Sequence, residues 1–272
     1  MTDQAAYFKL PAVNASSLKH MAVSPKHYAH ALTHPKPDTP AMAKGRAIHC
    51  ACLEPDEFPR RYWVWRGSRT TADWREFKAT VPDGVEVLTG DEYDDVLATR
   101  DAVRSHPVAA RYLRRGEAEK VLEWTDKETR LRCKARLDWV TPLGRSRYAR
   151  VIVDLKTSRD ISEHSFERTT HDLLYHVSAA HYVAGMEATS RARKPYRFVF
   201  VAVESSAPHD VRVGEISEDA LYAGEQERRR LLELVASCTR SGKWPGRFPK
   251  ETTFELPGWY YAQAEAIAEA RL

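Results

Sequence analysis

Cysteine is scarce here and poorly spaced for metal work. The four thiols, Cys50, Cys52, Cys133 and Cys238, include no C-x-x-C pair. That excludes a four-cysteine zinc or iron–sulfur site, and buried, inert thiols in a reducing compartment are the simpler expectation. Long apolar runs are missing too; none approaches the roughly 20 residues of a membrane-spanning helix. Residues 1–8 are polar and lack the apolar stretch of a secretory leader, so a cytoplasmic location is expected. An excess of one charge is also absent: 42 Lys+Arg against 38 Asp+Glu leave +4, which is compatible with nucleic acid without pointing to it. No internal repeat or low-complexity linker interrupts the chain.

What remains is a chain of 272 residues, 43% hydrophobic, long enough for a substantial core. Residues 1–13 read as an arm. Asn14 or Ser16 opens a helix, Ser24-Pro25 a second, and residues 41–53 a third, after a proline-rich break at 34–40. Met42, Gly45, Ile48, His49 and Cys52 fall near one side of the third helix, and Gly45 allows close approach of a backbone or ligand. Residues 58–87 read as strand fragments and a loop, with Trp63, Trp65, Trp74 and Phe77 interleaved with Arg66, Arg69 and Arg75. Such a segment suits stacking on single-stranded DNA, and equally an aromatic loop packed on the domain body. Thr89 with Glu92 caps a helix to 104, and a shorter helix covers 106–114.

The organising stretch is residues 131–157. It reads as two strands joined by a polar turn containing Pro142 and Gly144. Leu131, Cys133, Ala135 and Leu137 share one face, and Arg132, Lys134, Arg136 and Asp138 the other. Val151, Val153 and Leu155 oppose Ile152, Asp154 and Lys156. Two carboxylates and a lysine then meet at one sheet edge, an oxygen-rich set that suits Mg²⁺. The lysine can orient water or stabilise phosphate charge. A polar strand face with ordinary salt bridges accounts for the Asp-x-Lys triplet equally well. Basic clusters lie near 132–136, 145–150 and 191–194.

A preceding strand is expected at 117–124 and a turn at 126–129. A long helix from Ser162 or His164 to Met186 would place His171, Tyr175, Ser178 and Tyr182 on one stripe. Residues 196–204 form the most apolar strand, expected in the middle of the sheet. A polar strand (208–216), an amphipathic helix (217–238), an aromatic loop (242–249) and an Ala-rich terminal helix complete the chain.

Taken in order, several segments resemble a known family. They are Ser16-Ser17-Leu18-Lys19 with Ser24-Pro25, Gly45-Arg46-Ala47-Ile48-His49, Leu53-Glu54-Pro55, Cys133-Lys134-Ala135-Arg136-Leu137-Asp138 and Val153-Asp154-Leu155-Lys156-Thr157. Tyr175-His176-Val177-Ser178-Ala179-Ala180-His181-Tyr182 and Gly242-Lys243-Trp244-Pro245-Gly246 follow. The set resembles the PD-(D/E)XK nuclease superfamily, and within it the phage-type RecE, or exonuclease VIII, C-terminal nuclease family. The resemblance implies an α/β fold: a mixed central β-sheet flanked by helices, the restriction-endonuclease-like core, with an N-terminal helical layer. It implies a single nuclease domain over 1–272, with 1–115 largely helical and 116–272 the catalytic core plus C-terminal helices.

By the same resemblance, Asp138 and Asp154 are the metal-binding carboxylates, with the Leu155 carbonyl and His49 completing the metal set. Lys156 is the active-site lysine, Glu119 the upstream acidic residue and Tyr182 the family's helix tyrosine. Ser178 stands where the family carries glutamine, and Leu137 where many members carry proline. Arg66, Arg69, Trp65 and Arg136 are candidate nucleic-acid contacts. The implied function is a Mg²⁺-dependent (Mn²⁺ as substitute) 5′→3′ exonuclease on linear double-stranded DNA. It would leave 3′ single strands for a single-strand annealing protein and work as a ring-like homo-oligomer. The alternatives are an endonuclease of the same superfamily or a catalytically impaired DNA-binding or assembly protein. An iron–sulfur relative is disfavoured by the cysteine spacing.

Overall fold

The computed structural model describes residues 7, 9–34, 37–142, 146–192, 194–248 and 250–269. Gly144, Arg145, Arg193 and Pro249, which figured in the expectations above, lie outside them, as does most of the arm at 1–8.

The N-terminal layer is built by local capping. Asn14 and Ser17 exchange side chain–backbone hydrogen bonds at 2.7 and 3.0 Å, opening α1 (Ala15–Val23). Ser24 caps α2 (Pro25–Thr33), whose proline occupies the position where an amide is not needed. α3 (Pro40–Leu53) starts at Thr39 in the same way. The stretch read as strand fragments and a loop contains more helix than expected. It holds α4 (Phe58–Arg61), β1 (Tyr62–Trp65), α5 (Ala72–Thr80) and β2 (Glu86–Thr89), with β1 and β2 paired in parallel. Nothing in α5 is buried; besides its Thr71 cap and the Trp74–Phe77 step of three, what holds it is the contact of Trp74 and Phe77 with Trp63 and Trp65. α6 (Gly90–Ser105) begins at the Thr89–Glu92 capping box, and α7 (Pro107–Leu113) follows.

The main sheet runs β3 (Glu117–Thr125), β4 (Arg132–Thr141), β5 (Val151–Ser158), β6 (Arg197–Glu204) and β7 (Val211–Glu215), in that spatial order. Only β5 and β6 pair in parallel; the other neighbours are antiparallel. The middle strand is therefore β5 rather than the more apolar β6. β6 is apolar along its length because both faces are covered: Val199, Val201 and Val203 face one core, and Phe198, Phe200 and Ala202 the other.

The first core joins Ala47–Leu53 of α3, Val96 and Val103 of α6 and Ala109–Leu113 of α7 to Trp139, Val151, Val153 and Leu155. The second sets α8 (Glu163–Asp172) and α9 (Tyr175–Thr189) against Leu122, Ala135, Leu137, Val140 and Ile152. A third packs α1 and α2 on α9 and α10 (Glu218–Ser241). α9 and α10 cross so closely at Gly224 that a Cβ there would sit 2.2 Å from the His176 carbonyl oxygen. α11 (Gly258–Glu269) has no buried residue. The sheet is thus mixed and flanked by helices on both faces, the restriction-endonuclease-like core with an N-terminal helical layer.

Three expectations change. The single helix of 162–186 is two, α8 and α9, broken where Leu174 turns left-handed (φ 52). The expected stripe therefore loses His171, which is exposed and pairs with Asp172. Lys134 is not on a polar face but 3% exposed, donating to the Tyr7 and Leu10 carbonyls at 2.8 Å each. It ties the N-terminal arm to β4, where Val13 also forms a bridge with Cys133. On α3, Met42 is exposed, and a Cβ on Gly45 would meet nothing within 4 Å, so no protein backbone approaches there. All four cysteines are free and buried, as expected. Among the described residues, no helix is long and apolar enough to cross a membrane.

Candidate metal centre and active site

The site forms where the sheet opens. β4 and β5 pair over Trp139↔Val153, Val140↔Ile152 and Thr141↔Val151 and no further. Just past that pairing Asp138 Oδ2 accepts the Leu155 N–H at 2.9 Å, so a backbone amide fixes the carboxylate. On the other side, β3 and β4 pair at Ala118↔Trp139 and Lys120↔Leu137 but lapse between. The residue in the gap, Glu119, is left-handed at φ 50. A non-glycine residue there costs about 1–2 kcal/mol, a strain of the kind found at functional sites. Side-chain alternation along β4 fails at the same place. Ala135, Leu137 and Val140 share one core, while Trp139 enters the other.

This distortion turns Glu119 and Asp138 toward His49 on α3. One nitrogen of His49 and one carboxylate oxygen each from Glu119 and Asp138 lie within 4.8 Å of one another. His49 Nδ1 stands 3.6 Å from Asp138 Oδ2. Burial pushes the Glu119 carboxyl up to about 7; Arg136, 2.8 Å away, opposes this and the Asp138 charge adds to it. Two carboxylates and an imidazole in this space suit a hard divalent cation, whose charge would offset the cost of ionising Glu119 beside Asp138.

Beside this triad Lys156 is ion-paired with Asp154. Asp154 is 2% exposed, and its Oδ2, the oxygen nearest the lysine, lacks hydrogen-bond geometry to any partner. The Lys156 ammonium nonetheless meets that oxygen's charge. Burial pushes the Asp154 carboxyl up, Lys156 opposes it, and Asp138 and His49 act on it as well. Burial works against the Lys156 charge, but Asp154 and Asp138 outweigh it and raise its pKa, so the ammonium stays protonated.

The structure thus brings together His49, Glu119 and Asp138, with Asp154 and Lys156 adjoining. Leu155 contributes its amide. Tyr182 borders the same charges: burial, then Asp154 and Asp138, hold its hydroxyl well above the usual phenol range. Ser178 donates to Leu174 O within its own helix at 3.2 Å. Arg136 is engaged with Glu119 and stacks on Tyr7. Arg66 pairs with Asp94 at 2.6 Å, Arg69 donates to the Val87 carbonyl, and Trp65 packs on Trp74 and Phe77. These three hold one another's elements together and take no part in the triad.

Two residues went unassigned at the sequence level. Lys19 Nζ and Lys156 Nζ lie over the same Tyr175 ring, at 5.1 and 4.9 Å from its centroid. Burial and the neighbouring Lys156 charge bring Lys19 down to about 8, against the pull of Asp154. Both residues sit in segments that carried the resemblance, which was the available signal.

A solved structure named "Putative exonuclease", from Eubacterium rectale, is 12% identical, covers 97% of this chain with 96% of its own and superposes at a TM-score of 0.57. A phage related exonuclease from Haemophilus somnus 129PT is 14% identical over 85% of this chain and 96% of its own, at a TM-score of 0.34. Among curated proteins none matches. The model of one family, described as "PDDEXK-like domain of unknown function (DUF3799)", matches residues 14–252. With most of its length covered and its sheet opened at Asp138 as described, the chain belongs to that family of PD-(D/E)XK-like domains.

Proposed function

We propose that this protein is a divalent-metal-dependent deoxyribonuclease that hydrolyses phosphodiester bonds. The observation that carries the reading is the convergence of His49, Glu119 and Asp138 within 4.8 Å, beside an Asp154–Lys156 pair. His49, Glu119 and Asp138 would hold the cation, with Asp154 and the Leu155 carbonyl as further oxygen donors. When bound, Mg²⁺ or Mn²⁺ supplies positive charge to the phosphate oxygens and makes water more acidic. The protein's own groups do the rest. The Leu155 amide keeps Asp138 in place, and Arg136 orients Glu119. Lys156, held protonated, serves as a donor to a phosphate oxygen or an attacking water rather than as a base. Lys19 adds a second positive charge over Tyr175, where the phosphate's growing negative charge favours it.

The finer reading is a 5′→3′ exonuclease on linear duplex DNA, assembled as a ring and passing 3′ single strands to an annealing protein. It is supported by the resemblance to exonuclease VIII and by the name of the Eubacterium rectale structure that shares this fold. The test is digestion of end-labelled linear duplex beside covalently closed circles, with Mg²⁺ and with chelator. Label released from linear DNA alone supports the exonuclease. Cut circles mean an endonuclease. Binding without any cleavage, in Mg²⁺ or Mn²⁺, means an impaired DNA-binding protein, a reading that the self-bonded Ser178 favours.

A further inference from the structure

Three arginines gather at the far end of the β3–β4 pair. Arg111 in the last turn of α7, Arg114 just after it and Arg115 before β3, together with Thr141 and Pro142, line an open cavity of about 320 Å³. All three are exposed, and among the described residues none forms an ion pair; Arg111 only stacks on Tyr112, at 5.4 Å. The neighbouring acid, Glu117, is taken by Lys120 at 2.6 Å. The C-terminal dipole of α7 accounts for one favourable arginine, worth roughly 0.3–1 kcal/mol, but not for three around one cavity. The wall behind them is rigid. Thr141 Oγ1 donates to the Arg115 carbonyl, and Trp139 Nε1 donates to the Tyr112 carbonyl.

Position gives the cavity its meaning. Arg115 lies four residues before Glu119, and Thr141 three after Asp138, so the cavity sits ~10–14 Å along the strands from the metal triad. α7 covers the sheet face that α3, bearing His49, also covers. At ~3.4 Å of axial rise per phosphate, that separation spans about three to four nucleotides of one strand. We propose that Arg111, Arg114 and Arg115 form a phosphate-binding pocket that grips the DNA backbone three to four nucleotides from the reacting phosphate. The inference rests on the nuclease reading: it assigns the path of the substrate from the triad along the β3 edge. Arginine suits the task because its fork of donors matches phosphate oxygens.

The test is binding of a short labelled duplex, measured in chelator across a salt series. The triple variant R111A/R114A/R115A, with wild-type circular dichroism, is expected to lose at least about tenfold in affinity near 0.1 M salt. Its plot of log affinity against log salt should be shallower by about 2–3. R111K/R114K/R115K should recover most of that slope. If the alanine protein does not fold, duplexes with methylphosphonates three and four linkages from the cleaved position make the same test, and should bind wild type more weakly. Wild-type affinity and slope in the folded triple variant, or indifference to the neutral linkages, would overturn the pocket while leaving the nuclease reading intact. Wild-type protein that neither binds nor cleaves duplex would overturn the nuclease reading and the pocket with it.

Discussion

Asp138 is fixed by an amide from the next strand, whereas Lys156 is fixed by charge, and the two should respond differently to change. Lys156→Ala is expected to leave metal binding largely in place and to cut cleavage by roughly 100-fold or more, the scale of losing one positioned charge donor. Lys19→Ala should lower cleavage by roughly tenfold with metal affinity unchanged; cleavage rates and Mn²⁺ titrations on the same preparations check both. An unaltered rate for Lys19→Ala would remove that residue from the site. Ser178→Ala should have only a modest effect, because its hydroxyl is spent on Leu174. His181 offers a test of stability. It is fully buried, donates through Nε2 to the Lys134 carbonyl, and has no partner for Nδ1. Burial brings it from 6.5 to about 4. The folded state thus disfavours the proton that the unfolded chain accepts. The stability present above pH 6.5 falls as pH drops toward 4, by up to about 3 kcal/mol. Denaturant titrations at several pH values should show that slope reduced in His181→Gln.

Elements were legible where the signal was local. Asn14, Ser24 and Thr89 marked helix starts that the structure bears out, and the alternation in residues 151–157 marked β5. Signals that depend on distant partners were not. α5 carries only short local marks, the Thr71 cap and the Trp74–Phe77 step of three, and its place depends on aromatic contacts from β1, while the break between α8 and α9 rests on one left-handed residue, Leu174, without a glycine or proline to flag it. Lys134 looked like surface charge because its partners are carbonyls of the arm, more than 120 residues away in sequence. His49, Glu119 and Asp138 were each named by resemblance, Glu119 as the upstream acidic residue rather than as a metal ligand, and its turn toward Asp138 needs the lapse in strand pairing, which alternation alone predicts against. Two glycines test the element packing. Gly224→Ala should cost about 1–3 kcal/mol, since its Cβ would collide with backbone. Gly45→Ala, facing open space, should hold or gain up to about 1 kcal/mol. A loss of cleavage in that stable protein would mean that substrate, rather than protein, approaches α3.

Among the described residues, helices cover both faces of the main sheet, and a carboxylate–imidazole–lysine set lies where β4 and β5 separate. An ordinary surface ion-pair network would behave otherwise: its members contribute about 0–1 kcal/mol each and their loss changes no chemistry. Here a strained Glu119, a His49–Glu119–Asp138 cluster and a buried Asp154 paired with a protonated Lys156 occupy one locality, an arrangement that suits a cation and a phosphate. The most direct measurement is digestion of end-labelled linear duplex by wild type, Asp138→Ala and Lys156→Ala in Mg²⁺ and in chelator, with folding and Mn²⁺ binding followed in parallel. The account predicts cleavage by wild type only with metal, loss of both metal binding and cleavage in Asp138→Ala, and loss of cleavage alone in Lys156→Ala. Folded variants that cut as fast as wild type, or a wild type inert in both Mg²⁺ and Mn²⁺, would contradict it.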